Sequence, residues 1–169
     1  LDSRIRQWLQ NPRKILAPHL KPGMKALDVG CGPGFFSIEM AQLVGPEGQI
    51  IAADLQEGML QKLAGKIKGT ALESRIKPVQ CGKDTINVSE RVDFILAFYM
   101  VHEVPDKASF FGQLKAVLNT HGRCLLVEPK FFHVSRKEFE STTKIAESAG
   151  FRITQGPRLL FSWSAVLTN

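Results

Sequence analysis

The sequence predicts an α/β fold in which a seven-stranded, mostly parallel sheet with an antiparallel last strand lies between two layers of helices. Two observations lead to this class. Strand-like and helix-like runs alternate along almost the whole chain, which is typical of a parallel sheet with helical connections. A glycine-rich turn also separates the first strand from the first long helix. Because 169 residues is the length of one domain, we expect a single domain over residues 1–169.

Hydrophobic periodicity places each element along the chain. Strands are predicted where short apolar runs lie between turn residues, and residues 92–98 are apolar enough for the centre of a sheet. The predicted strands are 25–29, 49–53 (closing on Asp54), 76–80, 92–98, 123–127, 151–154 and 159–167. The predicted helices, with apolar residues at helical spacing, are 3–17, 35–44, 57–68, 107–118 and 135–149.

Local signals set several helix ends. Pro12 is expected to break or kink the first helix, because proline lacks the backbone N–H that a helix interior needs. Gly45 and Pro46 end the second helix. Ser135 and Glu138 have the spacing of a capping box at the start of the last helix. These ends divide the chain into alternating strands and helices and leave no segment for a second domain.

The turn after the first strand reads Asp28-Val29-Gly30-Cys31-Gly32-Pro33-Gly34. A glycine-rich turn at this place lets a ligand approach the backbone and the helix N-terminus. The dinucleotide fingerprint G-x-G-x-x-G would need its third glycine at position 35, which is Phe35. Asp28 also suits a positively charged ligand better than a pyrophosphate. The turn therefore predicts a nucleotide-like ligand with cationic character.

Polar or glycine residues follow five of the predicted strands. Ligands of open α/β sheets bind beyond the carboxyl ends of the strands, where all of these residues fall. Asp54 ends the second strand, and its carboxylate could accept hydrogen bonds from both hydroxyls of a ribose or could cap the following helix. The other strand ends carry Gly30, Gly82, Lys83, Asp84, Phe98, Tyr99 and Glu128.

The glycine spacing, with Asp28 and Asp54, resembles the first motif of the S-adenosylmethionine (SAM)-dependent methyltransferases with a Rossmann-like fold. The resemblance extends from Met24 to about Leu167 and implies a Rossmann-like three-layer sandwich, SAM as the cofactor and methyl transfer as the reaction. It is closest to the small-molecule group, of which the ubiquinone/menaquinone-biosynthesis type is one relative. We therefore expect a small-molecule acceptor.

The resemblance also implies which residues contact SAM. Asp28 would orient the methionine amino group, and Asp54 would hold the ribose. Met59 would pack against the adenine or serve only as a core residue. The family often has a Gly-Asp pair beside the adenine, so here either Lys83 replaces that acid or Asp84 takes its place. The implied cofactor-binding residues are Asp28, Gly30, Cys31, Gly32, Gly34, Asp54, Leu55, Met59, Gly82, Lys83, Asp84, Phe98 and Tyr99.

Candidate catalytic residues follow the fourth and fifth strands. Residues 99–106 resemble a segment that many small-molecule methyltransferases carry as His-His-Val-Pro-Asp, with Glu103 here in place of the second histidine. His102 is a candidate general base, since histidine titrates near neutral pH, or it supports the loop. Glu128 is a candidate to face the methyl group or a cationic substrate, or it serves as a structural cap.

Other functions remain as alternatives. A SAM-binding protein without catalysis or a partner subunit would carry the same cofactor motif, and a homodimer is an open alternative. An RNA methyltransferase would agree with the net charge of +6, but the basic residues are scattered rather than grouped, so we expect no nucleic acid partner. An oxidoreductase is disfavoured by Phe35 and Asp28.

The composition limits the remaining possibilities. Three scattered cysteines predict a reducing, cytoplasmic setting without disulfides. No apolar run is long enough to span a bilayer, and no histidine or cysteine spacing predicts a metal site. Only a short loop follows the fifth strand, so we expect the N-terminal segment, residues 1–20, to border the site.

Overall fold

A computed structural model describes residues 11–130 and 134–169 of the chain. Within these ranges the strands are β1 (Lys25–Val29), β2 (Gln49–Asp54), β3 (Ile76–Gln80), β4 (Val92–Phe98), β5 (Leu118–Pro129), β6 (Arg152–Gln155) and β7 (Ser162–Thr168). The helices are α1 (Pro12–Leu16), α2 (Phe35–Val44), α3 (Glu57–Ile67), α4 (Lys107–Val117) and α5 (Arg136–Ser148), and a 3₁₀ helix covers Val101–Glu103.

The strands form one seven-stranded sheet in the order β3-β2-β1-β4-β5-β7-β6. Strands β1 to β5 are parallel to one another, and β7 is antiparallel to both β5 and β6. The predicted α/β fold with an antiparallel last strand is confirmed. The order reverses between β1 and β4, because β2 and β3 lie on one side of β1 and the later strands on the other. This reversal opens a crevice at the carboxyl ends of the central strands.

Two hydrophobic cores lie on opposite faces of the sheet. Alternate residues of each strand point to opposite faces, so Ala26 belongs to one core and Leu27 to the other. The first face is covered by α1, α2 and α3, and the second by α4 and α5. By this alternation, Asp28 and Asp54 point toward α2 and α3, whereas Glu128 points toward α4 and α5.

The structure differs from the prediction at β5. The sequence predicts a strand over residues 123–127, and the observed strand is 12 residues long. Its first residue, Leu118, pairs with Val92, and its last residue, Pro129, pairs with Ser162 of β7. A register shift separates the Leu118 pairing from the rest of the ladder. The extension was not predicted because exposed polar residues near the start of the strand interrupt its apolar pattern.

Pro12 was expected to break or kink the first helix, and the backbone is indeed not helical at Asn11, directly before Pro12. Asn11 is extended and accepts a hydrogen bond from the backbone N–H of Lys14 at 3.2 Å, so it caps the helix that Pro12 begins. Proline suits this first position because its missing N–H would have no intrahelical partner there. Residues 3–10 of the predicted helix lie outside the described residues.

The three glycines of the turn between β1 and α2 have positive φ angles, but the space around them differs. A Cβ atom added to Gly34 would lie 2.3 Å from Cδ1 of Leu63, a fully buried residue of α3. One added to Gly30 would lie 2.8 Å from Cγ of Met100, whereas nothing lies within 4 Å of one added to Gly32. Gly34 therefore allows α2 and α3 to pack closely.

This difference predicts unequal costs for two alanine substitutions. Gly34→Ala should lower the free energy of unfolding by about 3 kcal/mol, since it combines left-handed backbone strain with overpacking. Gly32→Ala, the matched control, should cost only about 1 kcal/mol of backbone strain. Urea denaturation of both variants checks this. Equal losses would show that the contact with Leu63 does not limit the packing of α3.

Candidate active site

A cavity of about 390 Å³ opens at the carboxyl edge of the sheet. The ends of β1, β2, β3 and β4 and the first turns of α4 line it. Its volume lies in the range of small-molecule sites. Among the residues predicted to bind a cofactor, those that line it are Gly30, Asp54, Leu55, Gly82, Lys83, Asp84 and Tyr99.

The other predicted cofactor residues do not line this cavity. Asp28 and Cys31 are buried, and Gly32 and Gly34 belong to the turn beside it. Met59 is half-buried on α3, next to the core residue Leu60. Phe98 is 7% exposed, and its ring lies 4.3 Å from that of Phe36 on the α2 side of the sheet. The roles implied for these residues stay predictions.

Asp54 ties the glycine turn to the start of α3. Its carboxylate accepts hydrogen bonds from the backbone N–H groups of Gly32 and Gln56, each at 2.8 Å. The two roles predicted for Asp54, capping of the following helix and ribose binding, are therefore compatible. The side chain organises the start of α3 and also lines the cavity. A carboxylate has about four acceptor positions, so two remain for ligand hydroxyls.

Asp28 lies behind the turn and is only 2% exposed. Its carboxyl accepts a 2.5 Å hydrogen bond from the Ser37 hydroxyl in the first turn of α2. Burial and, to a smaller extent, the charge of Asp54 raise the pKa of Asp28, the hydrogen bonds from Ser37 lower it, and the resulting pKa is about 7. Asp28 thus joins the end of β1 to the first turn of α2 from within the core.

The cavity is acidic although the chain carries a net charge of +6. Asp54, Asp84, Glu103 and Asp106 line it, and Lys83 is the single lysine or arginine among the described lining residues. Carboxylates favour a cationic ligand and repel phosphate groups. This charge distribution agrees with the cationic ligand predicted from the turn.

Glu128 and His102, predicted separately, form one hydrogen-bonded unit. Glu128 is 1% exposed and accepts hydrogen bonds from the backbone N–H groups of Val101 and His102 at 3.0 and 3.1 Å. It also lies 2.6 Å from Nδ1 of His102. Nε2 of His102 lies 3.9 Å from Glu103, which lines the cavity. The buried carboxylate therefore both holds the loop after β4 and fixes the histidine ring.

Strained backbone marks the end of β4. Tyr99 has a φ of +57°, which is unusual for a residue with a side chain and is a common feature of functional loops. Its N–H donates to Val127 O, and its hydroxyl lies 2.5 Å from the Ser162 hydroxyl at the start of β7. Tyr99 therefore links the cavity to β5 and β7.

The thiols do not have the character of nucleophiles. Burial raises the pKa of Cys81 to about 11 and that of Cys124 to about 12. Burial and the charges of Asp28 and Asp54 also raise the pKa of Cys31. Since the thiolate is the reactive form, these groups contribute little covalent chemistry at neutral pH.

Several lining residues were missed by the sequence analysis. Met100 lines the cavity and lies within the predicted segment 99–106, but Ser109, Phe110 and Gln113, which also line it, were not predicted as site residues. The available signal was weak: Ser109 and Gln113 are polar and lie one helical turn apart on α4, beside an apolar stripe.

Three further expectations concern the surroundings of the site. Residues 11–20 pack against α2, and none of them lines the cavity; residues 1–10 lie outside the described residues. Within the described ranges, no group of three or more His, Cys, Asp or Glu side chains is arranged to hold a metal ion. None of the described helices has the length and apolar character needed to cross a bilayer.

The buried Asp28 carboxyl predicts a pH-dependent stability. Because its folded-state pKa is about 7, above the ordinary 3.8, the folded protein keeps a proton that the unfolded chain loses between pH 4 and 7. Its contribution to the free energy of unfolding therefore falls as pH rises through this window, by at most about 1 kcal/mol per pH unit.

Asp28→Asn should remove this fall in the free energy of unfolding. From pH 4 to pH 7 the variant should therefore become progressively more stable relative to the wild type. Urea denaturation at several pH values measures it. Glu47→Gln, at an exposed position, is the control and should give a constant difference. A constant difference for Asp28→Asn would contradict the prediction.

Comparison with known proteins agrees with this geometry. A family model described as a methyltransferase domain matches residues 20–157. The ubiquinone/menaquinone biosynthesis C-methyltransferase UbiE of Shewanella frigidimarina is 25% identical over 149 residues, which are 88% of this chain and 57% of the relative. The enzyme of the same name from a Marinomonas species is 27% identical over 135 residues, 79% of this chain and 52% of the relative. The chain thus spans little more than half the length of these relatives.

Structural similarity covers nearly the whole chain. The crystal structure of a SAM-dependent methyltransferase from Aquifex aeolicus superposes with a TM-score of 0.83 at 26% identity and covers 99% of this chain and 95% of that one. The resemblance first indicated by the glycine spacing is confirmed. With a matching family model over most of its length and the fold of these enzymes, the chain belongs to the methyltransferase domain family.

Proposed function

We propose that this chain binds SAM in the cavity at the carboxyl edge of the sheet and transfers its methyl group to a small-molecule acceptor. The observation that carries the proposal is Asp54, a buried carboxylate at the end of β2 that lines the cavity. It retains acceptor positions for the two ribose hydroxyls after bonding Gly32 and Gln56.

The rest of the cavity fits the same cofactor. Leu55 is 55% exposed and lines the cavity next to Asp54, where an apolar surface suits a purine ring. The four lining carboxylates suit a sulfonium cation and an ammonium group, and a pyrophosphate would be repelled. When bound, SAM supplies an electrophilic methyl group. Asp28 would act on the amino acid part only indirectly, since it is buried and its carboxyl bonds to Ser37 of α2.

His102 is the proposed general base. Glu128 accepts the Nδ1 proton of His102 at 2.6 Å, and this hydrogen bond favours the tautomer that carries its proton on Nδ1. Glu128 also accepts two backbone N–H groups, which hold its carboxylate beside the ring. The pair is therefore suited to an acceptor that loses a proton on methylation, such as a hydroxyl group or an activated ring carbon.

The names of the two relatives indicate which acceptor to assay first. They are ubiquinone/menaquinone biosynthesis C-methyltransferases, so a reduced quinone precursor is the first acceptor to assay. Methylation of its ring carbon replaces a C–H bond by a C–C bond, and the released proton needs a base. Transfer only to RNA would instead support the RNA methyltransferase alternative, and binding without any transfer would support the non-catalytic one.

Calorimetry tests the proposed cofactor. The wild-type protein should bind SAM and S-adenosylhomocysteine and should not bind NAD. Leu55→Ala should weaken SAM binding roughly fivefold, because it removes apolar contact of about 1 kcal/mol. Leu160→Ala is the matched control, since Leu160 is 63% exposed and does not line the cavity. Absence of SAM binding to the wild type at millimolar concentration would overturn the proposal.

A histidine pair tests the proposed base. His102→Ala should lower kcat for the quinol acceptor by about 10²-fold or more, with little change in SAM affinity. His121→Ala, at an exposed position, should leave kcat and SAM affinity unchanged. Wild-type turnover in His102→Ala would make His102 a support of the loop.

A further inference from the structure

The loop after β3 forms one wall of the cavity, and its shape depends on a side chain from a distant helix. Residues 81–86 line the cavity. Gly82 N–H donates to Thr85 O at 2.8 Å and closes a tight turn. Asn87, with a φ of +53°, donates from Nδ2 to Gln80 O at 2.9 Å. These local bonds shape the ends of the loop.

Gln113 of α4 holds the middle of this loop from both sides. Its Oε1 accepts the backbone N–H of Ile86 at 2.9 Å, and its Nε2 donates to the backbone carbonyl of Asp84 at 2.8 Å. Nε2 also lies 3.3 Å from the Ser109 hydroxyl one turn earlier on the helix. A primary amide is suited to this task because it offers a donor and an acceptor side by side.

The two bonds fix the directions of the loop's polar groups. Since Gln113 engages the Asp84 carbonyl and the Ile86 N–H, the peptide groups on both sides of Thr85 cannot rotate independently. The side chains of Lys83 and Asp84 are exposed, so their positions depend on the conformation of the backbone that carries them. Ile86 itself is 5% exposed and belongs to the core, which anchors the far end.

We propose that Gln113 is a positioning residue for the purine end of the SAM site: it holds residues 84–86 in the shape that recognises adenine. The inference rests on the proposed function, because the purine is that of SAM. Asp84, which lines the cavity beside Lys83, carries a carboxylate that accepts hydrogen bonds only. A loop held in this shape favours the donating amino group of adenine over the carbonyl oxygen of hypoxanthine.

Calorimetric titration of S-adenosylhomocysteine and S-inosylhomocysteine tests this role. The wild type should prefer the adenosyl compound. Gln113→Leu, which loses both bonds, should weaken adenosyl binding roughly tenfold and bring the ratio of the two dissociation constants close to one. Gln113→Glu keeps the acceptor for Ile86 and loses the donor to Asp84, so its loss should be intermediate. Gln61→Leu makes the same change on the exposed face of α3 and should bind as the wild type does.

Hydrogen exchange gives a readout that needs no ligand. The Ile86 amide should exchange faster in Gln113→Leu than in the wild type, whereas the amides of β4 should be unchanged. If Gln113→Leu does not fold, Gln113→Glu, which has the same shape, carries the binding measurement, and its Ile86 amide, whose acceptor it keeps, should exchange as in the wild type. A variant that is less stable but keeps the wild-type adenosyl-to-inosyl ratio would overturn the inference.

The outcomes separate this inference from the proposed function. If the wild type binds S-adenosylhomocysteine and Gln113→Leu binds it equally well, the role of Gln113 is wrong and the SAM site stands. If the wild type binds neither compound at millimolar concentration, the proposed function is wrong and the inference falls with it.

Discussion

The carboxyl edge of the sheet, where the cavity opens, depends on one constraint. Backbone N–H groups at the ends of strands have no partner in the sheet and need other acceptors, which buried carboxylates provide. Asp54 accepts two such groups at the end of β2, and Glu128 accepts two at the end of β5. A buried unpaired N–H would cost a few kcal/mol, so each carboxylate fixes its loop. Asp54 also contributes to the negative character of the cavity, which it lines together with Asp84, Glu103 and Asp106.

The acids that shape the site carry a cost in stability. Burial without a cationic partner disfavours the charged form of a carboxyl group, and Asp28 shows the effect through its raised pKa. A cationic ligand at the neighbouring cavity would offset part of this cost. A site built this way is less stable when empty than a neutral one would be, which is common where function and stability compete.

The sequence predicted the fold closely because it depends on local signals. Strand and helix periodicity, with the helix end at Gly45 and the capping box at Ser135, placed most boundaries within one or two residues. The extension of β5 could not be predicted, because polar residues at its start interrupt the apolar run that marks the rest of the strand. Within the site, Asp54 and Leu55 follow from the motif. The contact of His102 with Glu128 and the bonds of Gln113 join residues 26 to 29 positions apart, which no periodicity reveals.

The place of β7 in the sheet has a consequence for the order in which the chain assembles. Strand β6 contacts the sheet through β7, which lies between it and β5. During synthesis β6 emerges first and must wait, without its ladder, until β7 has been made and inserted beside β5. The parallel strands β1 to β5 can form their pairs before then, so closure of this antiparallel edge is the late event.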